Sequence, residues 1–550
     1  MSDLSSWSLL RRLAPALLIL AAAAQSQTTT RVSVASDGTQ ANAASAPAEM
    51  SADGTTVAFV SAASNLVAGD GNGTSDIFVH ELATGITSRV NLGAGGVEGD
   101  APCLDVALSA TGRFVAFDSL AGSLVASDQN EAFDVFRVDR QTGEVRRVSE
   151  GTGGVEANGP SHRPDISGNG SAIVFASYAT NLVAGDRNRA KDIFLHLVAA
   201  NSTTRVNVRT GGQQAIGGDS DNPAISQDGR YIVYDSTATN LVPNDTNAAR
   251  DIFLFDRFDL TTERVSIASD GTEANDHSRR ASVSGDGRYV VFESLASNLV
   301  PNDLNGFYDI FLHDRQTGET TRINDNPALT EPNSQSFLPY VNGPGTHVAF
   351  YSCASNIVPN DPNGADDIFI YDIAARTLEL ASVDFSGGPT NGYSSHPSVS
   401  DTARYVAFSA DASDIVTGDT NGMRDVFLRD RASVAMESPD SGTSVAWSLL
   451  HGEGEEGNRL LVLFSGTGID PTPIPGTSRV LMLTPDIWTQ QGLAYAALFS
   501  ATIDATGHAR TTVVPVPPLL SGLRLFAAGL ILDPSGQLSA TTLPAECILP

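Results

Sequence analysis

Apolar residues in most of this chain come in short runs of four to seven, without the 3.6-residue recurrence of an amphipathic helix. Between Pro223 and Ile267 the runs are PAIS, RYIVYDS, DIFLFD and TERVSI, with Asp-Gly and similar turn chemistry between several of them. Both faces of RYIVYD and DIFLFD are apolar, as in strands buried on two sides. The set returns seven times. Its anchor is the motif Asp-x-Asn-x-x-x-Asp, spaced by 58 residues with a single step of 59.

A unit of four short strands cannot bury its own faces, so the repeats must stack on one another. Seven stacked radially predict an all-β fold, a seven-bladed β-propeller of four-stranded antiparallel blades. A linear solenoid is the runner-up and needs capping repeats. The ends of the repeat favour a ring instead. A fourth-strand pattern, Thr29–Val34, precedes the first complete unit, and Arg31 is followed by Arg89, Arg147 and Arg205 at whole periods. The last unit lacks a good fourth strand, since RASVAMES fits poorly. The N-terminal strand is therefore expected to complete blade seven and remove the exposed sheet edges.

The paired signals Ser-x-Asp-Gly-x-x-x-x-Phe and Asp-Ile-Phe-x-x-Asp, repeated in register from Thr29 to Ser438, resemble the TolB-like (WD40-like) β-propeller family. The resemblance implies the propeller fold and a range of roles: binding module, translocation partner, or domain beside a hydrolase. A long insertion between the second and third strands, which carries the Asp-x-Asn motif, departs from the family pattern.

Three segments follow. Residues 1–26 read as a signal peptide, with Arg11 and Arg12 ahead of an apolar run from Leu13 to Ala24 too short for a membrane span. The expected destination is the periplasm, the medium or the cell surface, with no transmembrane span after cleavage. Residues 27–438 form the propeller. Residues 439–550 read as a small β-rich, sandwich-like module, with a short helix as the alternative for LRLFAAGLIL.

Composition narrows the partners. A net charge of −30 opposes nucleic acid and anionic membranes and leaves cations or basic partners. Three widely spaced cysteines make no disulfide framework. No Gly-x-Ser-x-Gly elbow, His-Glu-x-x-His or phosphate loop is present, so an enzyme is not expected.

The candidate chemistry lies in the seven clusters. They are Asp70, Asn72 and Asp76; Asp128, Asn130 and Asp134; Asp186, Asn188 and Asp192; Asp245, Asn247 and Asp251; Asp303, Asn305 and Asp309; Asp361, Asn363 and Asp367; and Asp419, Asn421 and Asp425. In a meander of four strands these loops share a face with the connections between blades, which makes that face acidic. Two readings stand. Calcium suits the hard oxygen ligands and relieves the repulsion of paired carboxylates. Loop locking, the reading placed first, uses the same side chains in Asx turns and bonds to loop amides. An EF-hand is ruled out: the twelfth residue, Asp256, lies a strand away, roughly 16 Å. His80, His196 and His313 share a strand position and read as packing, whereas His162, His277 and His396 read as loop residues open to a site. The expected function is a monomeric, non-enzymatic binding scaffold for a protein or small ligand on the acidic face, with Ca²⁺ as candidate cofactor. The alternatives are a hydrolase or lyase in the central funnel and a component of an envelope complex.

Overall fold

A computed structural model describes residues 28–431, apart from 327–329, 359–360 and 362, and beyond Arg431 the backbone of strands only. The signal-peptide segment lies outside the described residues. Gln27–Arg431 forms one compact unit, and the C-terminal residues belong to another.

The larger unit is a seven-bladed propeller of four-stranded antiparallel sheets. Blade four runs Ser220–Ile225, Tyr231–Ser236, Asp251–Asp256 and Thr261–Arg264, from the axis outward. In blade seven the order is Ser394–Val399, Tyr405–Ala410 and Asp425–Asp430, then Thr28–Arg31 from the opposite end of the chain. Arg31 pairs with Phe427 and Thr28 with Asp430, so the N-terminal strand closes the ring as the repeat phase predicts.

Packing explains why both middle strands are apolar on two faces. Each blade stacks one aromatic of its second strand on one of its third, Tyr234 on Phe253 in blade four at 6.0 Å. Each core cluster then joins two neighbouring blades: Val233, Ile252 and Leu254 of blade four pack with Val283, Val290 and Phe292 of blade five. No blade buries itself, and burial of apolar surface drives the stacking. The Ser-x-Asp-Gly turn serves the same interface. Gly287, at φ +74°, lies against the Tyr231 ring of the preceding blade, where any Cβ would overlap it.

In the C-terminal unit, Arg459–Ser465 pairs with Arg524–Leu532, which also pairs with Leu538–Thr541 and Ala545–Ile548. LRLFAAGLIL is thus a strand, not the helix held open as the alternative; flanked by partners on both edges, it meets its backbone hydrogen bonds within the sheet.

Candidate functional site

In blade four the motif is a closed polar network. Asp251 opens the third strand and is fully buried. One carboxylate oxygen accepts Ser266 Oγ at 2.6 Å, and the other accepts Asn247 Nδ2 at 2.9 Å and Arg264 Nη1 at 3.4 Å. Arg264, the last residue of the fourth strand, also meets Asp245 at 3.5 Å and Glu273 at 2.8 Å. Asn247 accepts the Ala249 amide and donates to the Ala274 carbonyl in the loop leading to blade five. Asn240 likewise accepts the Ile216 amide and donates to the Gln214 carbonyl.

The arrangement repeats with Arg89, Arg147, Arg205, Arg322 and, in blade seven, Arg31, which reaches Asp419 at 2.9 Å and Asp425 at 3.2 Å. In blade two the oxygens of Asp128, Asp134 and Glu156 lie within 4.8 Å of one another, and Arg147 stands 2.6 to 3.8 Å from all three. Burial pushes Asp134 and Asp303 up to about 6. A bond from Arg89 draws Glu98 below its ordinary value. A guanidinium cannot shed its proton, so it is a permanent counter-charge for buried carboxylates. The carboxylates of all seven motifs are turned inward, and six blades carry their own cation. Blade six keeps Asn363 on Asp367 at 2.8 Å and Ser382 on Asp367 at 2.7 Å, but Leu380 stands at the arginine position.

The histidines divide. His80, His196 and His313 bond across strands to Thr87, Thr203 and Thr320 at 2.9 to 3.0 Å, as packing residues should. His277 accepts the Arg250 amide. His162 and His396, expected in loops, lie instead in the innermost strands of blades three and seven, because these strands begin earlier than their polar first residues suggest.

Those innermost strands enclose an axial cavity of about 590 Å³. All seven carry a β-bulge at mid-strand. At the bulge Arg163, Asn222, Arg280, Leu338 and His396 hold φ between +49° and +55° and line the cavity. Left-handed backbone is costly for such side chains and persists only where surroundings enforce it. Arg163 is paired with Asp221 at 3.0 Å, whereas the Arg280 guanidinium forms no salt bridge within 4.0 Å among the described residues, although the Arg280 backbone amide donates to Asp235 Oδ2 at 3.1 Å. Two residues further along, Glu49, Asp165 and Tyr340 face one another inside the channel. Burial, reinforced by Asp165, pushes Glu49 up to about 8. Burial alone carries Asp165 to about 6 against two backbone amides, those of Ile225 and Ile166. Burial lifts the Tyr340 hydroxyl well above its ordinary value, with both carboxylates adding to the effect.

The turns after the innermost strands lie on the face opposite the motif loops. There Gln227 of blade four donates to both oxygens of Asp401 of blade seven, at 3.0 and 3.2 Å. Blades three apart in a ring of seven face each other, so this bridge spans the axis. Backbone bonds from Ala110 to Gly168, Gly168 to Gln227, Gly285 to Gly343 and Asp401 to Ala52 surround it. Of these channel residues, sequence reasoning singled out only His396, as a loop residue. Their signal was faint: six of the seven inner strands begin with Ser and all seven end in an apolar residue, but the positions between vary too much for the third to stand out.

The fold and cavity thus define a seven-bladed propeller with an axial pocket. No protein-family model and no curated protein matches the chain. Among solved structures it is similar to TolB from Acinetobacter baumannii, at TM-score 0.36 and 14% identity over 60% of this chain and 64% of that one. It is also similar to a putative TolB from Agrobacterium tumefaciens, at 0.34 and 17% over 55% and 87%. A puromycin-hydrolyzing peptidase of Mycobacterium tuberculosis aligns at 0.42 and 13% over 78% and 63%. This chain therefore spans just under two thirds of the Acinetobacter protein. These are likenesses of fold.

Proposed function

We propose that this protein is an exported, non-enzymatic binding propeller whose ligand site is the axial cavity rather than the acidic loops. The carrying observation is the strained ring of Arg163, Asn222, Arg280, Leu338 and His396 around that cavity. Strain of this kind collects at ligand clamps, and a concave pocket with few convergent polar groups is where small molecules bind. Its chemistry suits a small zwitterion, an amino acid or the end of a peptide. Arg280 offers a cation to a carboxylate near the bulge. Asp165 and Glu49 offer acceptors to an ammonium group deeper in. Export rests on the apolar N-terminal segment that follows Arg11 and Arg12.

Titration calorimetry with free amino acids and dipeptides tests this. Saturable binding lost in Arg280→Ala and in Asp165→Asn supports it; binding unchanged in both contradicts it. One observation favours a second reading. Glu49 near 8 and Asp165 near 6 are carboxyls of unequal acidity, as in a general acid and base. Turnover of a bound peptide, abolished by Glu49→Gln while binding persists, distinguishes the enzyme.

A further inference from the structure

We infer that blade six holds a hydrated divalent cation, Ca²⁺ by its donor set, between Asp361 and Asp367. The comparison is internal to the molecule. In six blades Oδ1 of the first motif aspartate faces an arginine: Asp70 with Arg89 at 3.0 Å, Asp186 with Arg205 at 3.3 Å, Asp303 with Arg322 at 3.3 Å. Oδ2 of the last aspartate meets the same guanidinium, as in Asp309 with Arg322 at 3.2 Å. Blade six keeps both aspartates and the asparagine, but the fourth strand ends in Leu380, which pairs with Phe369 in the register that Arg322 shares with Phe311.

The consequence falls on a single atom. Asp361 is only 6% exposed, and its Oδ1, the oxygen that takes arginine elsewhere, has no hydrogen-bond partner. Among the described residues no cationic side chain lies within 4.0 Å of Asp361 or Asp367. Two carboxylates turned to one place need an opposite charge. A leucine is shorter than an arginine and carries no charge, so a small ion with its waters can take the guanidinium's place. Carboxylate, water and loop carbonyl oxygens suit Ca²⁺. The glutamate that is third in blades one, two, four and five, such as Glu331, is Pro389 here. Two carboxylates therefore predict modest affinity, Kd of about 10⁻⁴ to 10⁻³ M, in the range of extracellular modules.

The test compares wild type, Leu380→Arg and Asp361→Asn after chelation, by equilibrium ⁴⁵Ca²⁺ binding and thermal melting with added CaCl₂. Wild type should gain a Tm increase of about 2 to 4 °C at saturating Ca²⁺. Leu380→Arg supplies the missing guanidinium and should lose one bound equivalent together with the Tm response, while melting higher than wild type in chelator. Asp361→Asn, a near-isosteric change, should lose the same equivalent. No Ca²⁺ response in wild type up to about 10 mM, well above the expected Kd, overturns the inference. So does a response that persists in both variants.

Discussion

Gln227 and Asp401, 174 positions apart in sequence, are joined across the propeller axis by two hydrogen bonds of 3.0 and 3.2 Å. The Gly343 amide adds a third bond to Asp401 at 3.0 Å. The bridge gives the cavity a floor on the face away from the motif loops. Gly343 must lack a Cβ, which would stand 2.6 Å from Asp401 Oδ1 and overlap the Gln227 amide. Gly343→Ala is expected to break the bridge, lowering the urea midpoint and raising hydrogen exchange in the turns that carry Gln227 and Asp401. Unchanged exchange there argues against a floor built on this pair.

Arg264 counters three carboxylates in blade four, two of them buried. Removing one partner of a buried ion cluster leaves an uncompensated charge, at a cost of about 3 to 5 kcal/mol. Arg264→Leu is expected to lose stability on that scale in denaturant melts. A loss below about 1 kcal/mol, the level of an exposed pair, contradicts the network.

Glu49 bears on pH. Burial, then the nearby Asp165, raises it from 4.5 to about 8 in the folded chain. Below pH 4.5 both states hold the proton. Between 4.5 and 8 the unfolded chain releases it while the folded chain does not, so stability falls across that window and levels off above it. Asp165 acts in the same direction between 3.8 and about 6. Glu49→Gln should therefore flatten the decline in unfolding free energy from pH 5 to pH 8. An identical decline in the variant places Glu49 outside the titration.

Ring closure rests on four residues from the far end of the chain, Thr28–Arg31. Deleting them should expose the third strand of blade seven as an open edge and strip Asp419 and Asp425 of Arg31. The expected result is a lower Tm with concentration-dependent association in sedimentation, whereas Arg31→Lys should keep the ring and lose only part of the stability.

Periodicity made the propeller and its closure legible, because strand burial and blade stacking impose the same pattern in every copy. The loop-locking role of Asn240 and Asn247 was legible for the same reason, since Asx geometry is local. The counter-charge was not. Arg31, Arg89, Arg147 and Arg205 were visible at the period, yet only strand pairing shows that their side chains return to the motif of the same blade. Leu380, the exception, gained meaning only afterwards. The channel was hidden differently. A mid-strand bulge turns Arg163, Arg280 and His396 inward, and bulges leave no alternation in sequence to read. Glu49 and Asp165 meet only across the ring, a relation that no spacing encodes.

The central claim is that ligand enters the axial cavity and meets Arg280 and the Glu49–Asp165 pair. Calorimetry of wild type and Arg280→Ala against a panel of free amino acids and dipeptides tests it most directly. Saturable binding to wild type, weakened at least about tenfold in the variant, the equivalent of 1.4 kcal/mol, is the predicted result. Equal affinity in the two proteins, or no binding by either, contradicts it.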